Sequence, residues 1–215
     1  MNTAFKEQVY QHLESERSLE HFLGIQTPLE LLEWAVVLSA LLPRADAVLT
    51  LLGSGQGLGF AVALERKVPL IVAQDRPFKF DGVYASEVDD KILFALQDHL
   101  EGVKSLVVVQ DTLRRGYSSL GLVGLAAQAG TQVMGFGALV EYSNLGGRNR
   151  LEMMNFPVQV LAQVAHTPRG LQPERRGVYE SRARAVHFLT HPLQERSVLR
   201  ALDISTEKIT MSCKK

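Results

Sequence analysis

Ser105-Leu106-Val107-Val108-Val109-Gln110-Asp111-Thr112-Leu113-Arg114-Arg115-Gly116-Tyr117-Ser118-Ser119 decides the fold. Its first five residues are an apolar, valine-rich run, too short for a helix, and read as a buried strand. The polar residues from Gln110 break the run. Gly116 then opens a Leu- and Ala-rich segment, residues 116–129, that reads as a helix. A strand that enters a helix through a short glycine-bearing loop is half of a βαβ unit.

The same grammar extends in both directions. Residues 47–52 form another apolar run that stops at Gly53, and residues 57–67 follow as a helix. Residues 68–73, 132–141 and 158–164 read as further strands. Residues 89–100 are expected as a helix and residues 74–88 as irregular. Strand and helix alternate along the middle of the chain, which predicts an α/β fold with a parallel sheet flanked by helices, residues 105–109 at its centre. Two N-terminal helices precede it. The first, mostly polar, is expected over residues 3–21. The second starts at Thr27-Pro28, where Thr27 suits the N-cap and Pro28 the first helical position, and Pro43 ends it. A short C-terminal helix is expected over residues 192–202.

Composition removes several function classes. Of 215 residues, 46% are hydrophobic and 21% charged, ordinary globular usage that argues against disorder. Lys+Arg and Asp+Glu both number 23, which excludes a uniformly basic coat, so nucleic acid is not an expected partner. The single cysteine, Cys213, cannot build an intrachain disulfide or a zinc-thiolate cluster. Glu7, His12 and Glu14 interrupt the N-terminal stretch, which is unlike a signal peptide. Apolar runs stop far short of the roughly 20 residues that span a membrane. A cytoplasmic protein without membrane contact is expected. The length fits one domain with an appendage: residues 1–165, then a basic connector and helical extension at 166–215 that carries Arg169, Arg175, Arg176, Arg182 and Arg184.

In such sheets ligands sit beyond the C-terminal ends of the strands. Gly53-Ser54-Gly55-Gln56-Gly57 stands there after the first strand. Its glycines let backbone amides converge on an anion at a helix N-terminus. It is not a dinucleotide fingerprint, because Leu58 stands where a glycine belongs, and it is not a Walker A loop. A tight strand-to-helix turn without a ligand is the plain alternative. In the decisive stretch, Asp111 sits where a carboxylate binds ribose hydroxyls or a metal. Gly116, Ser118 and Ser119 open a helix, where amides and hydroxyls favour phosphate, and Arg114 and Arg115 add charge. A capped helix with solvated arginines is the alternative here. The histidines show no ligand spacing.

An apolar strand, an acidic position, then Gly and Ser opening a helix resembles the phosphoribosyl-pyrophosphate loop of type I phosphoribosyltransferases, in particular the xanthine and adenine enzymes. Further segments agree in order: residues 22–28, 48–55, 63–70 and 129–141, then Gly147-Arg148 and Leu151. The resemblance covers about residues 20–165. It implies a purine phosphoribosyltransferase that moves phosphoribosyl from phosphoribosyl pyrophosphate to a purine base with Mg²⁺, in a homodimer. Asp111 would be the catalytic and metal-binding carboxylate. Substrate-binding positions would be Ser54, Gly55, Gln56, Gly57, Gln110, Asp111, Arg114, Arg115, Gly116, Tyr117, Ser118, Ser119 and Tyr142.

The departures point to a second function. The acidic pair is Gln110-Asp111, the small loop carries Arg114, Arg115 and Tyr117, and the Ala-Arg-Lys after the second strand is Ala73-Gln74-Asp75-Arg76. That costs cations facing pyrophosphate unless Arg76 or Lys79 substitutes. The base-contacting Asn and Lys of the xanthine enzymes fall at Gly24 and Tyr142. The alternative is therefore a catalytically impaired member that binds phosphoribosyl pyrophosphate or a nucleotide in a regulatory role.

Overall fold

The computed structural model describes residues 3–13, 15–53, 55–79 and 81–174. Ser54, the arginines from Arg175 onward and the helix expected over residues 192–202 lie outside the described residues. The N-terminal helical segment is two helices, α1 (Thr3–Gln11) and α2 (Glu16–Gly24), rather than one. The reason is local. Ser15 adopts extended backbone angles and its side chain accepts from Ser18 N, so it caps a new helix instead of continuing the old one. α3 (Pro28–Leu41) begins with a full capping box. Thr27 accepts from Glu30 N, and the Glu30 carboxylate accepts from Thr27 N.

The main sheet has the order β2-β1-β5-β6-β7-β8, with β1 (Ala47–Leu51), β2 (Leu70–Ala73), β5 (Ser105–Leu113), β6 (Gln132–Tyr142), β7 (Val158–Thr167) and β8 (Gly170–Pro173). All neighbours are parallel except β8, which turns back on β7 at the edge. The boundary expected at residue 165 falls inside β7, and the sheet runs on to Pro173. β5 lies inside the sheet between β1 and β6. Its side chains alternate: Val107 and Val109 join the core under α3 and α4 (Gln56–Arg66), while Leu106 and Val108 join the core under α6 (Tyr117–Gln128). Burial on both faces is why the sequence reads as apolar without alternation.

Two readings need correction. Residues 89–100 are not a helix, and residues 74–88 are not wholly irregular. β3 (Val83–Val88) and β4 (Lys91–Leu96) pair as an antiparallel hairpin, and only Gln97–Leu100 is helical, as α5. Asp89, with φ 55°, and Asp90 form the two-residue turn between Val88 and Lys91. Burial of Leu93 and Ala95 on one face of β4 shows the period of two that a helical reading misses. Phe94 exchanges backbone hydrogen bonds of 2.8 and 2.9 Å with Gln74, which fastens the hairpin beside β2.

A further correction concerns β5. It does not end at Val109. Gln110 pairs with Ala138, Thr112 with Val140 and Leu113 with Glu141 on β6. Gln110 and Asp111 are thus held on a strand, and the connection to α6 is only Arg114, Arg115 and Gly116. Ladder pairing with β6 overrides the polarity of the side chains.

Candidate functional site

β1 has β2 on one side and β5 on the other, so the chain reverses direction across the sheet between β1 and β5. Ligands bind at such switch points, beyond the strand C-termini. A cleft of about 600 Å³ opens there. Gly55, Gln110, Asp111 and residues 114–119 all line it, so the two loops expected to act together do meet.

The approach is close at two places where a side chain would interfere. A Cβ on Gly55 would stand 3.1 Å from Asp111 N and 3.3 Å from Gln110 Cα, so glycine lets the first loop lie against β5. On the other side, Gly147 N donates to Arg114 O at 3.0 Å, and a Cβ on Gly147 would collide with that same carbonyl. Gly147 begins α7 (Gly147–Met153), so α7 braces the second loop from behind. Gly116 at φ 77° supplies the left-handed residue that turns the loop into α6. Arg150 donates to Arg115 O, and its guanidinium lies 4.5 Å from the Tyr117 ring centroid.

The polar groups divide into those already committed and those turned to the cleft. Ser119 Oγ donates to Gln110 Oε1 at 2.6 Å. Asp111 Oδ1 accepts from Thr112 N at 2.7 Å, which orients its carboxylate. Thr50, buried at the end of β1, donates to Val109 O at 2.7 Å and lines the cleft. Arg115 is exposed at the cleft wall.

Some expected positions fall elsewhere. Gln56 starts α4 without lining the cleft, and Gly57 faces Leu31. Tyr142 is 1% exposed and sits behind the cleft wall. Its ring stacks on His166 with centroids 5.4 Å apart, and the Arg114 guanidinium lies 4.6 Å from its centroid. Arg114 Nη1 in turn meets Glu20 Oε1 of α2 at 3.3 Å. Burial pushes the Tyr142 hydroxyl above the ordinary tyrosine range; the Arg114 cation opposes this, and Glu20 and Asp111 add to it. Among the described residues that hydroxyl has no hydrogen-bond partner. A half-exposed ion pair contributes about 0–1 kcal/mol. A buried orphaned hydroxyl costs about 1–3 kcal/mol.

Other cleft residues escaped the sequence reading. Asp89 and Lys91 reach it from the hairpin turn, and His166 from the end of β7. Lys91 carries no local signal in the sequence, because the hairpin that brings it to the cleft is held by contacts with α6 and Gln74. Arg76 and Lys79, the cations considered as substitutes, do not line the cleft, whereas Lys91 does. Below the site, Glu141 is 3% exposed and bonded by Arg148 through Nε and Nη2 at 2.8–3.0 Å and by Gln163 Nε2 at 2.9 Å. Burial opposes the charge on Arg148, but Glu141 and then Glu152 more than offset it and hold the guanidinium above its ordinary range. Among the described residues no three His, Cys, Asp or Glu side chains cluster as a metal site. No single described helix is long and apolar enough to cross a membrane.

No protein-family model matches the chain. Curated relatives do. The xanthine phosphoribosyltransferase of Geobacillus thermodenitrificans is 31% identical over 136 residues, 60% of this chain and 70% of that protein. The enzyme of the same name from Ectopseudomonas mendocina is 30% identical over 132 residues, 59% of this chain and 67% of that protein. Among solved structures, adenine phosphoribosyltransferase from Thermoanaerobacter pseudethanolicus matches with TM-score 0.54 and 21% identity over 63% of this chain and 80% of that chain. The enzyme from Leishmania donovani reaches TM-score 0.62 at 12% identity, over 74% and 80%. With the sheet order, the two loops meeting at the switch point and relatives of this identity and coverage, this chain belongs to the type I phosphoribosyltransferase family.

Proposed function

We propose that the chain is a purine phosphoribosyltransferase, which transfers phosphoribosyl from phosphoribosyl pyrophosphate to a purine base. The observation that carries this is the meeting of Gly55, Asp111 and the start of α6 in one cleft. The 5′-phosphate takes the amides of residues 116–119 and the Ser118 hydroxyl, where the helix end favours an anion. Asp111 faces the ribose hydroxyls. The glycine loop at Gly55 and Lys91 receive the leaving pyrophosphate, whose charge they stabilise. Mg²⁺ binds through one or two carboxylates together with substrate phosphates, so a single oriented carboxylate, Asp111, fits the ion once the ligand supplies the remaining oxygens. Bound there, Mg²⁺ would neutralise charge on the pyrophosphate. The decisive experiment is base-dependent pyrophosphate release over a panel of purines and pyrimidines. Release with a purine and none without it supports transfer.

A second reading, binding in a regulatory role without transfer, is favoured by Gln110. Where the family has a carboxylate, this side chain is neutral and engaged with Ser119. Calorimetric binding of phosphoribosyl pyrophosphate with no pyrophosphate release for any base would establish it. The proposal includes a cytoplasmic homodimer. Exposed Leu29 and Val36 on α3 and Phe60 and Leu64 on α4 support self-association, and a monomer by light scattering at micromolar concentration would overturn it.

A further inference from the structure

We propose that Arg114 and Glu20 form a latch over a base-stacking face of Tyr142, and that a purine ring binds by displacing the Arg114 side chain. The inference rests on the reading of the cleft as a site for phosphoribosyl compounds. Arg114 lines the cleft while Tyr142 beneath it does not. The guanidinium is flat and lies 4.6 Å from the Tyr142 ring centroid, the place and shape that a stacked heterocycle would take. Tyr142 is braced by His166, which also lines the cleft, so uncovering the tyrosine would leave one aromatic wall.

Only a side-chain rotation is required. The Arg114 backbone is pinned by the Gly147 N hydrogen bond to its carbonyl, and β5 pairing holds Leu113 before it. The closed arrangement includes a partly exposed ion pair across 94 residues of sequence and a cation–π contact. Against it stands the buried Tyr142 hydroxyl, which lacks a partner among the described residues. Rotation of Arg114 uncovers the ring face that its guanidinium occupies. Glu20, far from the phosphate loop in sequence, thereby sets how much of the chain is open to a base.

Calorimetry on the full chain tests this with ribose 5-phosphate and with AMP, GMP and XMP. The quantity read is the affinity ratio of the tightest nucleotide to ribose 5-phosphate. Glu20→Gln weakens the latch and leaves the amides of residues 116–119 and the Ser118 hydroxyl unchanged. It should raise the ratio by roughly threefold, the size expected for losing a weak exposed ion pair, with ribose 5-phosphate affinity unchanged. Arg114→Ala should raise the ratio too, whatever it does to phosphate binding. Tyr142→Leu should lower it. A ratio that is the same in the wild type, Glu20→Gln and Arg114→Ala overturns the latch while leaving the cleft assignment intact. Failure of ribose 5-phosphate and all three nucleotides to bind the wild type overturns both.

Discussion

Ser119 Oγ donates a 2.6 Å hydrogen bond to Gln110 Oε1, tying the C-terminal half of β5 to the first turn of α6. The bond bridges the three-residue loop between them, and it uses the side chain that stands where the resembling enzymes carry a carboxylate. A neutral amide at this position holds the loop without adding charge beside Asp111.

Gln110→Glu keeps an acceptor for Ser119 and adds a negative charge. With Mg²⁺ present, affinity for phosphoribosyl pyrophosphate should rise by about tenfold, roughly 1.4 kcal/mol. Without Mg²⁺ it should fall, because the carboxylate then repels the phosphates. Paired titrations with and without the ion read the two signs. Equal changes in both would mean that the metal does not sit beside residue 110.

Asp111→Asn removes the carboxylate that Thr112 N orients. Mg²⁺-dependent binding of phosphoribosyl pyrophosphate should weaken by about tenfold or more, in keeping with a charge-assisted contact of about 1.5–3 kcal/mol. An unchanged affinity would misplace the ribose site and the transfer mechanism with it.

The hairpin rests on a glycine face of α6. A Cβ at Gly121 would lie 2.7 Å from Leu93 Cδ1 and 2.9 Å from Val88 Cγ1, and one at Gly124 would collide with Ser86. Alanine in a helix normally gains up to about 1 kcal/mol over glycine. Here overpacking by about 1–3 kcal/mol should win. Gly121→Ala should therefore lower Tm by several degrees in calorimetry, whereas an increase would show that the hairpin yields easily.

Among the described residues, Arg148→Met leaves the buried Glu141 carboxylate with Gln163 as its side-chain hydrogen-bond donor. Breaking such a pair costs about 3–5 kcal/mol, which for a chain of this size shifts Tm by about 2–4 °C per kcal/mol. The double variant Arg148→Met, Glu141→Leu should recover much of the loss in urea denaturation. Equal stability of single and double variants would show that the Glu141 charge is not what the arginine balances.

Burial raises the Tyr142 hydroxyl pKa, so the folded state holds this proton more tightly than the unfolded state. The contribution is therefore intact below about pH 10, the ordinary tyrosine value, and is lost as pH rises through the folded value. Tyr142→Phe should be the more stable form at high pH, by a margin that grows above about pH 10 in urea melts. A margin that does not change with pH would mean that the hydroxyl is solvated.

The sequence by itself determined the parallel α/β class and the order of the main-sheet strands along the chain. The apolar runs over residues 47–52 and 105–109 mark strands, and the glycines after them mark loops, because a doubly covered sheet needs uninterrupted apolar strands and because turns need glycine. The break at Ser15 inside the helix expected over residues 3–21 has no local mark, since a polar residue inside a polar helical stretch looks no different whether or not it caps. What only the tertiary structure decided is which of these residues face one another. The β3–β4 hairpin depends on contacts with α6 and Gln74, so Lys91 and Asp89 reach the cleft without a local signal. β5 extends to Leu113 because β6 lies beside it. Tyr142 lies under Arg114 because α2 brings Glu20 to it. Strand ends and turns are properties of a few neighbouring residues, whereas a cleft is made by segments tens of residues apart, and only packing selects which of their side chains meet.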